Sequence, residues 1–242
     1  MSEVIQYQGY PNEEYEVLTD NGYYLPINRI PYGSTNSGNS DCYGRVISNT
    51  NASLFLLFCY SFHEMGMNDL PAIINFILAK TGQEKIFYIG HSQGSTIAFI
   101  AFSAIPQLAQ KIKVFFAFGP VAFLNHSKSP YPKLAFLADN VGKVKKSGVF
   151  KAFDYGSENV KKYHQGTPPA YNIQGMDVPI AVWSGGSDIM ATPKDTEQLL
   201  PLLRNLIYYK EIPHWMHYDF IFGLDAHQEV YDELIEIVQN FP

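Results

Sequence analysis

The feature that most constrains this chain is a nonapeptide, Ile86-Phe87-Tyr88-Ile89-Gly90-His91-Ser92-Gln93-Gly94. An apolar, β-prone run stops abruptly in a Gly-x-Ser-x-Gly pentapeptide. Ser95-Thr96-Ile97-Ala98-Phe99-Ile100-Ala101 then reads as a helix packed through small residues. Strand, sharp turn and helix in that order are the setting in which the pentapeptide forms a nucleophile elbow. The turn forces Ser92 into a strained backbone conformation, and glycine at the flanking positions lets backbone segments approach closely. The helix N-terminus beneath Ser92 favours negative charge on an attacked carbonyl oxygen. A fold that carries this element needs a buried sheet with helices against it.

The chain can supply one. It has 242 residues, 46% hydrophobic and 15% aromatic with only 17% charged, enough for an α/β domain with a sizeable core. The formal net charge of −6 argues against nucleic acid as a partner. The lysines at 143, 145 and 146 read as a solvated face. No apolar run approaches the length of a membrane span. The N-terminus lacks a basic region followed by a long apolar stretch, so no secretory signal is read in the chain as written. Cys42 and Cys59 are too few for a disulfide framework, and their pairing stays open. Asn51-Ala52-Ser53 and Asn125-His126-Ser127 are glycosylation sequons, usable only on the secretory route. No metal-ligand spacing, phosphate loop or repeat is present, so no cofactor and no metal are expected.

Taken in order, Tyr15–Thr19 and Tyr23–Ile30 read as two strands of a hairpin around Asp20-Asn21-Gly22, with Pro26 placing the second strand at an edge. Residues 31–51 are rich in Gly, Ser and Asn and read as a linker or long loop, before the apolar run Leu54–Tyr60. Asp69 reads as a helix cap with Pro71 in the first turn, Leu70, Ile73, Ile74, Ile77 and Leu78 on one face, and Gly82 as the stop. Strands are expected over Lys113–Pro120, Pro179–Ser184 and Leu206–Ile212. Helical patterns fall over Pro193–Leu203 and around Val230, Leu234, Ile237 and Val238. Residues 125–175 are irregular. Strands separated by helical segments point to a mostly parallel sheet.

A serine hydroxyl is a weak nucleophile. It needs an imidazole to take its proton, and the imidazole needs a carboxylate to fix its tautomer. In this fold class they follow in the order serine, acid, histidine. Asp188 stands just past the strand ending at Ser184, and both His214 and His217 stand in the loop after the last strand. The remaining histidines are placed less well: His91 lies inside the elbow, its side chain pointing away from that of Ser92, His63, His126 and His164 precede the last strand, and His227 sits at the start of the closing helix. Asp177, Asp195, Asp219 and Asp225 are poorer acids by position. The backbone N–H of Gln93 is the identifiable oxyanion donor.

With these residues in view, the chain resembles the acid lipase family, the gastric and lysosomal acid lipase group of α/β-hydrolases. Tyr7-Gln-Gly-Tyr-Pro-Asn-Glu-Glu-Tyr-Glu-Val, Asp20-Asn-Gly-Tyr and Asn28-Arg-Ile-Pro-Tyr-Gly resemble its N-terminal signature. Gly90-His-Ser-Gln-Gly-Ser-Thr resembles its elbow, and Asp69-Leu-Pro-Ala, Ala181-Val-Trp-Ser-Gly-Gly-Ser-Asp and His217-Tyr-Asp-Phe resemble further blocks. The resemblance implies hydrolysis of neutral lipid esters, triacylglycerols or cholesteryl esters, at a lipid–water interface. It implies Ser92 as nucleophile, Asp188 as acid and His217 rather than His214 as base. It also implies a secreted or lysosomal protein, although the chain as written leaves a cytoplasmic location open.

Two family features are not found. The strand ending in a His-Gly-Leu-type motif, which supplies a second oxyanion amide, is absent, as is the Asn-Ser-Arg-Gly-type segment that follows it. Around Ala135–Gly142 most of the cap over the site is skipped. The chain looks like a shortened variant: an N-terminal lipase-associated hairpin over 1–33, a polar loop and apolar run over 34–60 in place of core strands, and a hydrolase core over 61–242 with a cap remnant at about 125–175. Residues 34–60 are expected to form a loop and then a short run into the helix at residue 69. Two functional readings follow. One is a serine lipase or esterase. The other is a hydrolase-fold chain without turnover, serving as a binding partner or persisting as an unstable product. A widened site acting on short acyl esters is a variant of the first.

Overall fold

The structure, a computed structural model, describes residues 1–32, 45–48, 61–128 and 149–242. The chain divides into two compact units, residues 1–60 with 68–84 and residues 61–67 with 85–242.

In the first unit, β1 (Glu13–Leu18) and β2 (Tyr24–Ile30) pair antiparallel, with Leu18 opposite Tyr24. The Asp20-Asn21-Gly22 turn closes them. Gly22 takes φ +89°, and Thr19 N–H donates to the Tyr23 carbonyl at 2.8 Å. Against expectation β2 is not an edge. It lies between β1 and β3 (Arg45–Ser48), which comes from the stretch expected to be a loop. Pro26 is tolerated because β3 pairs only with Ile27–Ile30, so the missing proline N–H falls outside that ladder. Val17, Ile27 and Ile73 form the buried core here, with Phe76 and Ile77 against it. The rest of residues 34–60, including Leu54–Tyr60, and the cap remnant over 129–148 lie outside the described residues.

The helix Leu70–Thr81 stops at Gly82, which takes the left-handed φ of +67°. Its start differs from expectation. Asp69 is already helical, because a turn at Phe62–Glu64 and a π-helical turn at Met65–Asp69 precede it. The cap is Ser61, in a capping box with Glu64.

The second unit is built on four parallel strands in the order β4-β5-β6-β7: Ile86–His91, Ile112–Phe118, Ile180–Gly185 and Leu206–Ile212. Burial follows position. β6 is buried throughout and β5 nearly so, whereas β7 alternates and β4 is largely half-buried. That is the expected difference between strands covered on both faces and strands at a margin. Val114, Phe116 and Phe118 point to one face, joining Trp183, Trp215, Phe220 and Val230 in a core cluster. Phe115 points to the other, against Tyr88, Phe99 and Phe102. Full burial of each large apolar side chain contributes about 1.5–3 kcal/mol. Among the described residues β4 has a strand neighbour on one side only.

Candidate active site

Ser92 sits between β4 and the helix Gln93–Ala104 with φ 54° and ψ −116°, a left-handed region that L-residues rarely adopt. Such strain costs about 1–3 kcal/mol and persists only where the surroundings over-determine it. They do so here. Ser92 N–H donates to the Phe118 carbonyl at 3.0 Å, extending the β4–β5 ladder into the turn. A Cβ on Gly90 would lie 2.8 Å from the Gly94 carbonyl carbon, so only glycine lets the turn fold back this tightly. The half-buried Tyr88 hydroxyl donates to the Gly94 carbonyl at 2.9 Å, and desolvation pushes this phenol above its ordinary pKa. The Ser95 hydroxyl donates to the Ser92 carbonyl at 2.5 Å and accepts from Val121 N–H at 3.0 Å.

Ser92 Oγ donates to His217 Nε2 at 2.6 Å, and His217 Nδ1–H donates to Asp188 Oδ2 at 2.7 Å. His217 and Asp188 are each 3% exposed, so the pair is shielded from water. The second carboxylate oxygen of Asp188 accepts from Met190 N–H at 2.7 Å and Ala191 N–H at 2.9 Å. The carboxylate is thereby fixed with one oxygen left for the imidazole.

The acid and histidine loops are stitched to each other. Gly186 N–H donates to the Ile212 carbonyl and Ser187 N–H to the Trp215 carbonyl. The Ser187 hydroxyl reaches the Pro213 carbonyl at 3.1 Å. A Cβ on Gly185 would come within 2.5 Å of the Trp215 carbonyl oxygen, and one on Gly186 within 2.7 Å of Pro213. The Gly-Gly pair before Asp188 is therefore the condition for the two loops to touch.

The structure brings Ser92, Asp188 and His217 together, and it carries the rivals elsewhere. His214 is exposed and pairs with Asp225 at 3.2 Å. Asp195 binds Thr192 and His126. Asp177 accepts from Asn205, and Asp219 from Met216 N–H. Gln93 is the first residue of its helix, so its N–H is among those with no acceptor within the helix. Its side-chain amide approaches the Met65 sulfur at 3.6 Å. Among the described residues no group of His, Cys, Asp and Glu could hold a metal, and no helix is long and apolar enough to cross a membrane.

Two neighbours of His217 escape a reading of the sequence. Gly119, at φ +49°, leaves room for the ring: a Cβ there would lie 3.3 Å from His217 Nδ1. Gly119-Pro120 at a strand end was the available signal. His91 contacts the His217 carbonyl through Nε2 at 2.7 Å, and no spacing rule points to such a contact.

Comparison with known proteins agrees with this architecture. A family model described as a partial α/β-hydrolase lipase region matches residues 1–52, and one for the α/β-hydrolase fold matches residues 33–133. Human gastric triacylglycerol lipase is 35% identical over 361 residues, covering 99% of this chain and 91% of the relative. Human lipase member K is 35% identical over 362 residues, covering 100% and 91%. An alignment of 361 positions against a chain of 242 residues leaves at least 119 (361 less 242) opposite gaps, with both chains nearly covered. The missing length is therefore internal. Among solved structures, an esterase from Pyrococcus furiosus superposes with a TM-score of 0.63 at 12% identity, covering 98% of this chain and 94% of the other. An acylaminoacyl peptidase from Pyrococcus horikoshii gives 0.64 at 12%, covering 99% and 43%. The structural likenesses establish the fold; the sequence relatives establish more, and the chain belongs to the acid lipase family of α/β-hydrolases, of which it is an internally shortened member.

Proposed function

We propose that this chain is a serine carboxylic ester hydrolase acting on neutral lipid esters through an acyl-enzyme on Ser92. The observation that carries the reading is the unbroken hydrogen-bonded series Ser92–His217–Asp188. His217 Nε2 takes the Ser92 proton as Oγ attacks the ester carbonyl. Asp188 holds the tautomer and stabilises the imidazolium. Gln93 N–H and the helix N-terminus meet the oxyanion. The protonated His217 then delivers its proton to the departing alcohol. Water activated by the same ring releases the fatty acid.

The substrate class rests on the relative that is a gastric triacylglycerol lipase. The same relative supports a place on the secretory route, where Asn51 and Asn125 become glycosylation acceptors. The test is hydrolysis of a series of acyl esters by the wild type beside Ser92→Ala, with short and long chains compared. Turnover of short and long esters that disappears in the variant supports the reading; a folded wild type that hydrolyses none overturns it. The internal gap in the alignment favours the second reading, a hydrolase-fold chain without turnover that acts as a binding protein.

A further inference from the structure

His91 has no part in the mechanism above, yet it is among the residues most closely packed on the base. It ends β4, directly before Ser92. Its Nε2 lies 2.7 Å from the backbone carbonyl of His217, and the two rings lie 4.8 Å apart at 43°. Tyr218 and Phe220 pack around the same ring at 6.3 and 6.0 Å. A carbonyl oxygen only accepts, so His91 Nε2 carries a proton and donates. Two successive residues at the elbow therefore grip the same residue of the histidine loop: His91 holds its carbonyl and Ser92 its Nε2.

From this geometry we infer that His91 is a positioning residue, a neutral hydrogen-bond donor that locks the backbone of the His217 loop to the nucleophile turn. The inference rests on the triad reading of the previous section. Asp188 alone leaves the His217 ring free to tilt about its Nδ1 contact; anchoring the main chain removes that freedom. The charge state matters as well. His217 becomes cationic each time it takes the Ser92 proton, and a second cation 4.8 Å away would oppose it. Burial holds the His91 imidazole below its ordinary pKa, which keeps this neighbour neutral. The His217 carbonyl contact and the Asp188 charge oppose that shift, and the His217 ring reinforces it.

The test compares His91→Leu, which fills space without a donor, with His91→Gln, whose side-chain amide nitrogen stands as many bonds from Cα as Nε2 does. Two quantities are read. One is kcat and KM on a short acyl ester. The other is the downfield proton resonance of the His217 Nδ1–H shared with Asp188, identified by its loss in His217→Ala. His91→Leu should lower kcat by about 10²-fold with little change in KM, as expected for a misplaced catalytic group, and should broaden or remove the resonance. His91→Gln should recover most of both. If His91→Leu does not melt cooperatively, His91→Asn takes its place, because its shorter amide stops short of the carbonyl. Wild-type kcat and an unchanged resonance in the donor-less variant would overturn the inference, as would a glutamine variant no better than leucine. A wild type without turnover defeats the functional reading instead, and the resonance then decides the role of His91 by itself.

Discussion

The two sides of the candidate site are built differently. On the imidazole side, His217 is held at Nδ1 by Asp188, at Nε2 by Ser92 and at its carbonyl by His91. Asp188 is held in turn by two backbone amides. On the oxyanion side the proposal names one donor, the N–H of Gln93, the first residue of its helix. At least 119 positions of the alignment with the gastric relative (361 less 242) fall opposite gaps. The difference separates two parts of catalysis that usually travel together. The proposed acid–base relay rests on contacts between the ends of β4, β6 and β7, which the structure shows. Among the described residues β4 has no strand on its other side, where a further oxyanion donor would be sought. Losing one oxyanion donor costs on the order of 10²–10³ in kcat, a deficit that would reduce turnover on the proposed nucleophile without removing it.

This contrast can be broken most forcefully at the relay. Replacing Ser92 or His217 by alanine should lower kcat by up to about 10⁶-fold, as removing a nucleophile or its base does elsewhere. Steady-state hydrolysis of a soluble ester measures it, and a residual rate within tenfold of wild type would mean the relay contributes little. Asp188→Asn should cost about 10⁴-fold, because the asparagine amide cannot hold the productive tautomer; a melt matching wild type would separate this from unfolding. Gly119→Ala acts more gently. Its methyl would stand 3.3 Å from His217 Nδ1 in a left-handed position, so kcat should fall by about 10²-fold from misplacement while KM holds. Smallest is Ser61→Ala, which takes no part in the Ser92–His217–Asp188 series. It should cost about 1 kcal/mol of stability through the lost cap, read by denaturant unfolding, with kcat untouched.

The strongly periodic parts of the second unit were legible in the sequence. β5 and β6 show as dense apolar runs because strands covered on both faces need no polar alternation, and the marginal β4 and β7 still carry enough apolar residues to be read as strands. Ser92 and Asp188 were legible from their places at strand ends. His217 was not separable from His214 by spacing alone, since both lie past β7. What divides them is that one faces Asp188 and the other Asp225. The cap at Ser61 was hidden because a π-helical turn joins two helical segments across Met65–Asp69, and Asp69 with Pro71 mimics a start signal. β3 was hidden because Arg45–Ser48 is a short strand in a polar stretch, specified by its partner β2 rather than by its own pattern. The contacts of Gly119 and His91 with His217 are tertiary, over separations that no local rule spans.

The most direct test of the central claim, that the relay survives in a shortened sheet, is the rate of fluorophosphonate labelling of wild type beside Ser92→Ala, with a circular dichroism melt of each. Labelling needs a serine activated by His217 and only part of the oxyanion support that turnover needs. The account predicts a cooperative melt for both proteins and labelling that disappears in the variant. A cooperatively folded wild type that takes no label would contradict it.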